Sequence, residues 1–205
     1  MKCLILAAGR GTRISRFLSG APKCTVDVGG QPLIRRTVEA LLREGVAEIA
    51  LAVGYRADVI QETLSGLPVR YFFNPFYDVT NSIASAWFAR EFLNGDDLMI
   101  LNGDVFLEDA LLSRVMAEPK SPVMFADSSR REEADYKFYY ENGRLLKFGK
   151  ELTGADITGE YIGLAKLSKA DAGPFADRLC AMIAQSRHSV WWENVLYEHL
   201  ALQPV

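Results

Sequence analysis

Short, wholly apolar runs alternate with longer amphipathic stretches along the first two-thirds of the chain. Residues 3–8 (CLILAA) carry no charge, the pattern of a strand covered on both faces. Residues 32–46 place Leu33, Val38, Leu41 and Leu42 at near-helical spacing. Pro32 suits the first turn and Gly45 the stop, so a helix is predicted. A second buried strand follows over 48–54, a short helix over 58–64 and a third strand over 69–73. Thr80 or Asn81 can cap a helix running to about residue 93. Residues 97–106 hold a fourth strand, and 109–116 a further helix. Strand and helix in this alternation predict an α/β fold, a mostly parallel sheet with helices on both faces.

After Ser121 the pattern changes. A short strand is expected over 123–126. Residues 137–140 and 144–148 flank Asn142-Gly143, a strong hairpin signal. Residues 161–167 read as a strand, and 170–185 and 191–202 as helices. This smaller mixed region is expected to lie over the open side of the sheet. With no repeat and no linker, residues 1–205 read as one domain in two parts, 1–120 and 121–205.

Composition narrows the function classes. The 205 residues are 49% hydrophobic and 24% charged, too apolar for a disordered chain. A net charge of −3 gives no general attraction to nucleic acid or to an anionic membrane, so an anionic ligand needs locally concentrated positive charge. No apolar run approaches the ~20 residues of a membrane span. The apolar start is one strand long and leads straight into Gly9-Arg10-Gly11, unlike a signal peptide. Cys3, Cys24 and Cys180 have no metal-ligand spacing and read as reduced thiols of a cytoplasmic protein. Oligomeric state leaves no mark on the sequence.

That local charge appears early. The first strand runs into Gly9-Arg10-Gly11-Thr12-Arg13, and Pro22-Lys23 follows. Glycines let backbone amides approach a phosphate, and Arg13 and Lys23 can neutralise a triphosphate. An ordinary strand–helix turn is the alternative. The spacing fits neither a Walker loop nor a dinucleotide fingerprint, because Ile14 stands where the latter needs its third glycine.

The pattern L-x-A-A-G-x-G-[ST]-R with P-K about ten residues on, here Leu6, Ala7, Ala8, Gly9, Gly11, Thr12, Arg13, Pro22 and Lys23, resembles the sugar-nucleotide pyrophosphorylases and related nucleotidyltransferases. The resemblance continues through Gly30-Gln31-Pro32-Leu33-Ile34 and Val53-Gly54-Tyr55 and covers nearly the whole chain. It implies a glycosyltransferase-A-like, Rossmann-like nucleotidyltransferase fold that transfers NMP from an NTP to a phosphorylated acceptor and releases pyrophosphate, with 1–120 as the nucleotide-binding part and 121–205 as the acceptor-binding part. Leu6, Ala7, Ala8, Gly9, Gly11 and Thr12 would bind the nucleotide, and Arg13 and Lys23 would be catalytic.

Asn102-Gly103-Asp104 ends an apolar strand, at the sheet edge where open α/β folds bind ligands. Asp104 there suits Mg2+ beside a triphosphate, or caps the following helix. The resemblance favours the metal. It also implies a second metal-binding aspartate in a W-x-E-I-D-like segment, and none occurs in these residues. The pattern N-x-x-Y…N-[NS]-x-x-S over 74–85 is similar to the bacterial choline-phosphate cytidylyltransferase branch and its aminoethylphosphonate relatives. This implies CTP, with Asn81, Ser82 and Ser85 near the base or phosphates. Plain helix capping is the alternative.

Trp191-Trp192-Glu193-Asn194 places two aromatic faces beside a carboxylate. Such a group attracts a quaternary ammonium, although a helix start with one tryptophan in the core explains the same residues. The choline-phosphate branch has a similar segment lining its choline site. Resemblance also assigns Glu160 and Tyr161 to the acceptor and, by loose correspondence, Lys150 to its phosphate, with a solvated surface lysine as the alternative; Phe138 and Tyr140 are candidate further walls. The expected reaction moves CMP from CTP onto phosphocholine or a similar phosphorylated amino alcohol. A sugar-1-phosphate nucleotidyltransferase, a 2-aminoethylphosphonate cytidylyltransferase and a non-catalytic nucleotide-binding module are the alternatives.

Overall fold

A computed structural model describes residues 1–11, 20–129, 131 and 135–200, with the backbone alone for 198–200. Strands β1 (Lys2–Ala7), β2 (Glu48–Val53), β3 (Val69–Phe73) and β4 (Leu98–Asn102) pair in parallel in the order β3-β2-β1-β4. Helices α1 (Leu33–Arg43), α2 (Ala57–Thr63) and α4 (Asp109–Ala117) cover one face. Helices α3 (Ser82–Phe88), α5 (Lys169–Ala184) and α6 (Asn194–Leu200) cover the other. The unbroken apolar run of β1 is explained by this sandwich. Cys3, Ile5 and Ala7 pack with Ile34, Val38 and Leu41 of α1, whereas Leu4 and Leu6 pack with Ile83 of α3 and Phe175 of α5. Both sets are needed because successive strand side chains point to opposite faces.

The second region extends this sheet and does not lie over it. Strand β8 (Gly159–Leu167) runs antiparallel to β4. Strands β5 (Val123–Asp127) and β6 (Lys137–Glu141) pair with β8, and β7 (Arg144–Gly149) pairs with β6, all antiparallel. Leu164 of β8 belongs to the α1 side of the core and Ala165 and Leu167 to the α5 side. A strand buried on both faces must be interior, and β8 is therefore the seam between the parallel and antiparallel halves. Asn142 and Gly143 both take positive φ, 51° and 76°, as a two-residue hairpin turn requires.

Two helices are shorter than their sequence pattern suggests. α3 ends at Phe88, and the remainder is a 3-10 turn, Arg90–Phe92. Its cap is Asn81, whose side chain accepts from Ser82 N at 2.8 Å. Thr80 instead donates to Phe76 O. α6 begins only at Asn194, because the backbone amide of Trp192 is drawn to Ser82 Oγ at 3.0 Å. Cys3, Cys24 and Cys180 are free thiols. No described helix is long and apolar enough to cross a membrane.

Lys166 ties the two halves together. It is buried on β8, and its ammonium donates to Val115 O, Met116 O and Glu118 O, each at 2.9 Å. These carbonyls close the C-terminus of α4, where the helix dipole favours a cation. Lys166→Met should lower stability by about 2–4 kcal/mol, seen as a lower urea midpoint at unchanged slope.

Candidate active site

The parallel strands end side by side, and their carboxyl ends build the site. Gly103 N donates to Leu6 O at 2.9 Å, carrying the end of β4 across the end of β1. A Cβ at Gly103 would lie 3.0 Å from both Ala7 Cβ and Leu6 O, so only glycine lets the two strand ends approach this closely. The order β3-β2-β1-β4 reverses direction at β1, and ligands of open α/β sheets bind at such a switch point. The loop beginning at Ala8 and the turn carrying Asp104 flank it.

A cleft of about 670 Å³ opens there, with an adjoining pocket of about 130 Å³. Leu6, Gly9 and Asp104 line both, and Gly11, Ala7 and Lys23 line the smaller one. Gly11 has φ +62°, and a Cβ there would strike Lys23 Cβ at 2.9 Å. The Lys23 ammonium is ion-paired to the Asp104 carboxylate, both half exposed. The cation and carboxylate singled out in sequence are thus direct neighbours, although 81 residues apart. Thr12 and Arg13 lie outside the described residues.

Asn81, Ser82 and Ser85 line the larger cleft with Ala8. Buried Asn74 organises the loop that leads to them. It donates to Ser85 Oγ at 3.0 Å and Thr80 Oγ1 at 3.2 Å and accepts from Phe76 N at 2.9 Å. Asn81 also donates its backbone N–H to His188 O, tying this helix start to the segment before Trp191.

Further along the same cleft are Lys150, Glu160, Tyr161, Trp191 and Glu193. The tryptophan pair divides. Trp191 is 37% exposed and meets the edge of Tyr136 at 5.2 Å, whereas Trp192 is 0% exposed and packs edge-on to Phe175. Trp192 is therefore a core residue and not a wall of the cleft, contrary to the acceptor-binding role expected of it. Successive side chains in the turn before α6 point opposite ways, and only one can face the cleft. Phe138 is likewise buried, stacked on Tyr161 at 5.2 Å. Tyr140 is not among the lining residues. Lys150 lies 5.5 Å from the Trp191 ring centre and pairs with Asp135 at 3.0 Å.

Glu193 dominates the electrostatics of this end. It is only 7% exposed, and burial pushes its pKa up to about 7. Its own backbone amide and Asn102 draw it back down, and the charge of Asp104 adds to the rise. Around it stand Tyr136, Tyr161 and Tyr197, all with pKa values raised chiefly by burial. The buried Tyr161 hydroxyl has no hydrogen-bond partner among the described residues. Tyr136 and Tyr197 were not singled out in sequence. Tyr197 carried a signal, since it follows Glu193 by four residues, one helical turn; in the structure it donates its backbone N–H to Glu193 O at 3.0 Å. Tyr136 carried none. Among the described residues no cluster of three His, Cys, Asp or Glu side chains is arranged for a metal.

The profile described as a MobA-like NTP transferase domain matches residues 3–201. A CMP-5'-(3-aminopropyl)phosphonate synthase of Streptomyces rubellomurinus is 34% identical over 64% of this chain, but that match spans only 21% of the synthase. The CTP:phosphoglutamine cytidylyltransferase of Campylobacter jejuni is 28% identical over 98% of this chain and 84% of its own length. In structure, the CTP:phosphocholine cytidylyltransferase of Streptococcus pneumoniae superposes with a TM-score of 0.80 at 20% identity, covering 100% of this chain and 87% of that one, a likeness of fold. Because that profile matches residues 3–201, well over half of the chain, the chain belongs to the MobA-like NTP transferase family.

Proposed function

We propose that this chain is a CTP-dependent cytidylyltransferase that moves CMP onto a small phosphate or phosphonate carrying a cationic amine. One observation carries the choice of acceptor. A buried carboxylate, Glu193, lines the same cleft as the Lys23–Asp104 pair and is surrounded by tyrosines. An ionised carboxylate is costly to bury without a cation, and an ammonium group on the acceptor supplies one. With Trp192 in the core, a two-tryptophan cage is not available. Glu193 offers a directed acceptor instead, which favours a primary ammonium, as in an aminoalkylphosphonate. The cytidylyl specificity draws support from the relatives named above, whose names pair CMP or CTP with a phosphonate or with phosphoglutamine. Phosphocholine is the second reading, favoured by the rings of Trp191, Tyr136 and Tyr197.

In the reaction, an anionic acceptor oxygen attacks the α-phosphorus of CTP. The bond from that phosphorus to the bridging oxygen breaks, and pyrophosphate leaves with that oxygen. The nucleophile needs no general base because it is already ionised. The chain's task is positioning and charge neutralisation. Lys23 would neutralise the α-phosphate, and the amides of the Gly9–Gly11 turn would hold the leaving group. Asp104, a hard oxygen donor open to both cavities, fits Mg2+ together with phosphate oxygens, and the ion would add positive charge at the α-phosphate.

Lys23→Ala and Asp104→Ala should each reduce turnover by at least ~100-fold in a pyrophosphate-release assay with CTP. A panel of nucleotides against 2-aminoethylphosphonate, phosphocholine and sugar phosphates tests the substrate assignment, and a preference for a sugar phosphate overturns it. Glu193→Gln should stabilise the unliganded protein at pH 8. The folded carboxyl takes up its proton near pH 7 and the unfolded one near 4.5, so the ionised form opposes folding at high pH. The gain should reach up to about 3 kcal/mol above pH 7 and vanish below pH 4.5 in melting experiments.

A further inference from the structure

Behind the acceptor end of the cleft runs a chain of hydrogen bonds that the proposed chemistry leaves unused. Trp192 Nε1 donates to Asn102 Oδ1 at 2.9 Å, and Asn102 Nδ2 donates to Glu193 Oε1 at 3.3 Å. An indole N–H can only donate, so it decides which end of the amide faces it. The remaining NH2 group is thereby directed to the carboxylate. A reversed amide would set two donors against each other at the indole and two acceptors at the carboxylate. Neighbouring elements keep this chain in place. Ser82 Oγ accepts from Trp192 N at 3.0 Å, and Phe175 lies against the buried indole. On the other side the backbone of Gly163 comes so close that an added Cβ would sit 2.8 Å from Asn102 Nδ2, which leaves the amide little room to swing aside.

We infer that Asn102 and Trp192 are positioning residues for recognition of the cationic acceptor: the indole sets the orientation of the amide, and the amide holds the Glu193 carboxylate at the cleft wall. The inference rests on Glu193 being the amine-binding group. It gives Trp192 a function despite its absence from the pocket. It also gives Asn102 a part separate from that of Asp104 two residues later: the strand end serves the acceptor through Asn102 and the phosphates through Asp104.

The test compares 2-aminoethylphosphonate with its neutral isostere propylphosphonate, as the ratio of kcat/KM values with CTP as donor. Trp192→Phe and Asn102→Asp should each lower that ratio by roughly 10- to 100-fold, the range of a lost hydrogen bond to a charged group, with the KM for CTP changed less than about threefold. In a Glu193→Gln background, Trp192→Phe should add nothing, because the residue it acts through no longer carries the charge. A second readout is independent of turnover. The carboxyl titration of Glu193 in the unliganded protein, followed by 13C NMR, should move to higher pH in Trp192→Phe, since the ionised form has lost its oriented donor. Asn102→Asp should move it the same way and replaces the phenylalanine variant if that does not fold. An unchanged titration and ratio, an equal loss with both acceptors and CTP, or an effect undiminished by Glu193→Gln overturns the inference and leaves Trp192 as core packing. If Glu193→Gln itself leaves the ratio unchanged, the acceptor assignment fails, and the NMR titration still decides whether the indole controls the carboxylate.

Discussion

The backbone bond from Gly103 N to Leu6 O holds the end of β4 against the end of β1, and the geometry of the site follows from that contact. Both strands are buried on both faces, so neither can shift register by one residue without turning its side chains into the wrong core. Leu4 faces Ala50 on one neighbour and Ile100 on the other. That register delivers the glycine turn after β1 and the Asp104 turn after β4 to one edge of the sheet. The site is therefore positioned by apolar alternation in the interior strands, well before any charged side chain contributes.

β8 gives the Glu160–Tyr161 end of the cleft the same rigidity. Its apolar half is clamped beside β4, and its other half carries Glu160 and Tyr161 out to the cleft. The aromatic layer behind it is continuous: Phe138 stacks on Tyr161, and Phe148 stacks on Tyr197 at 3.9 Å. A carboxylate set against such a wall sits in a low-dielectric environment. Its charge then discriminates strongly between a cationic and a neutral guest.

Much of this was legible in the order of residues. The apolar run of residues 3–8, the Asn142-Gly143 turn and the spacing of Gly9, Gly11 and Lys23 each have a local physical cause, so the strands, the hairpin and the meeting of Gly9, Gly11 and Lys23 at one pocket could be read directly. What escaped depends on packing between segments far apart in the chain. Nothing adjacent to Trp192 says that it turns inward while Trp191 turns outward, because the decision rests on Ser82 and Phe175. Whether the second region covers the sheet or extends it depends on β8 having apolar side chains for both faces. That pattern is visible in residues 161–167, but it does not name the partner strand. Tyr136 precedes its strand with no periodicity to mark it, and it reaches the cleft because the neighbouring strand pairs with β8.

The contact between Lys23 and Asp104 has a consequence for the kind of ligand that can enter. Each group is the other's counter-ion, and at this exposure their mutual attraction is worth little, on the order of 0–1 kcal/mol. The pair is easily opened, but opening it strands one charge. A bare polyphosphate that captured the lysine would leave the aspartate facing more negative charge, and a bare cation on the aspartate would leave the lysine beside like charge. Only a ligand that brings both signs at once, an anion already carrying its own cation, leaves every charge answered. The pair thus tilts the site, by a modest margin, toward a ligand that carries both signs of charge.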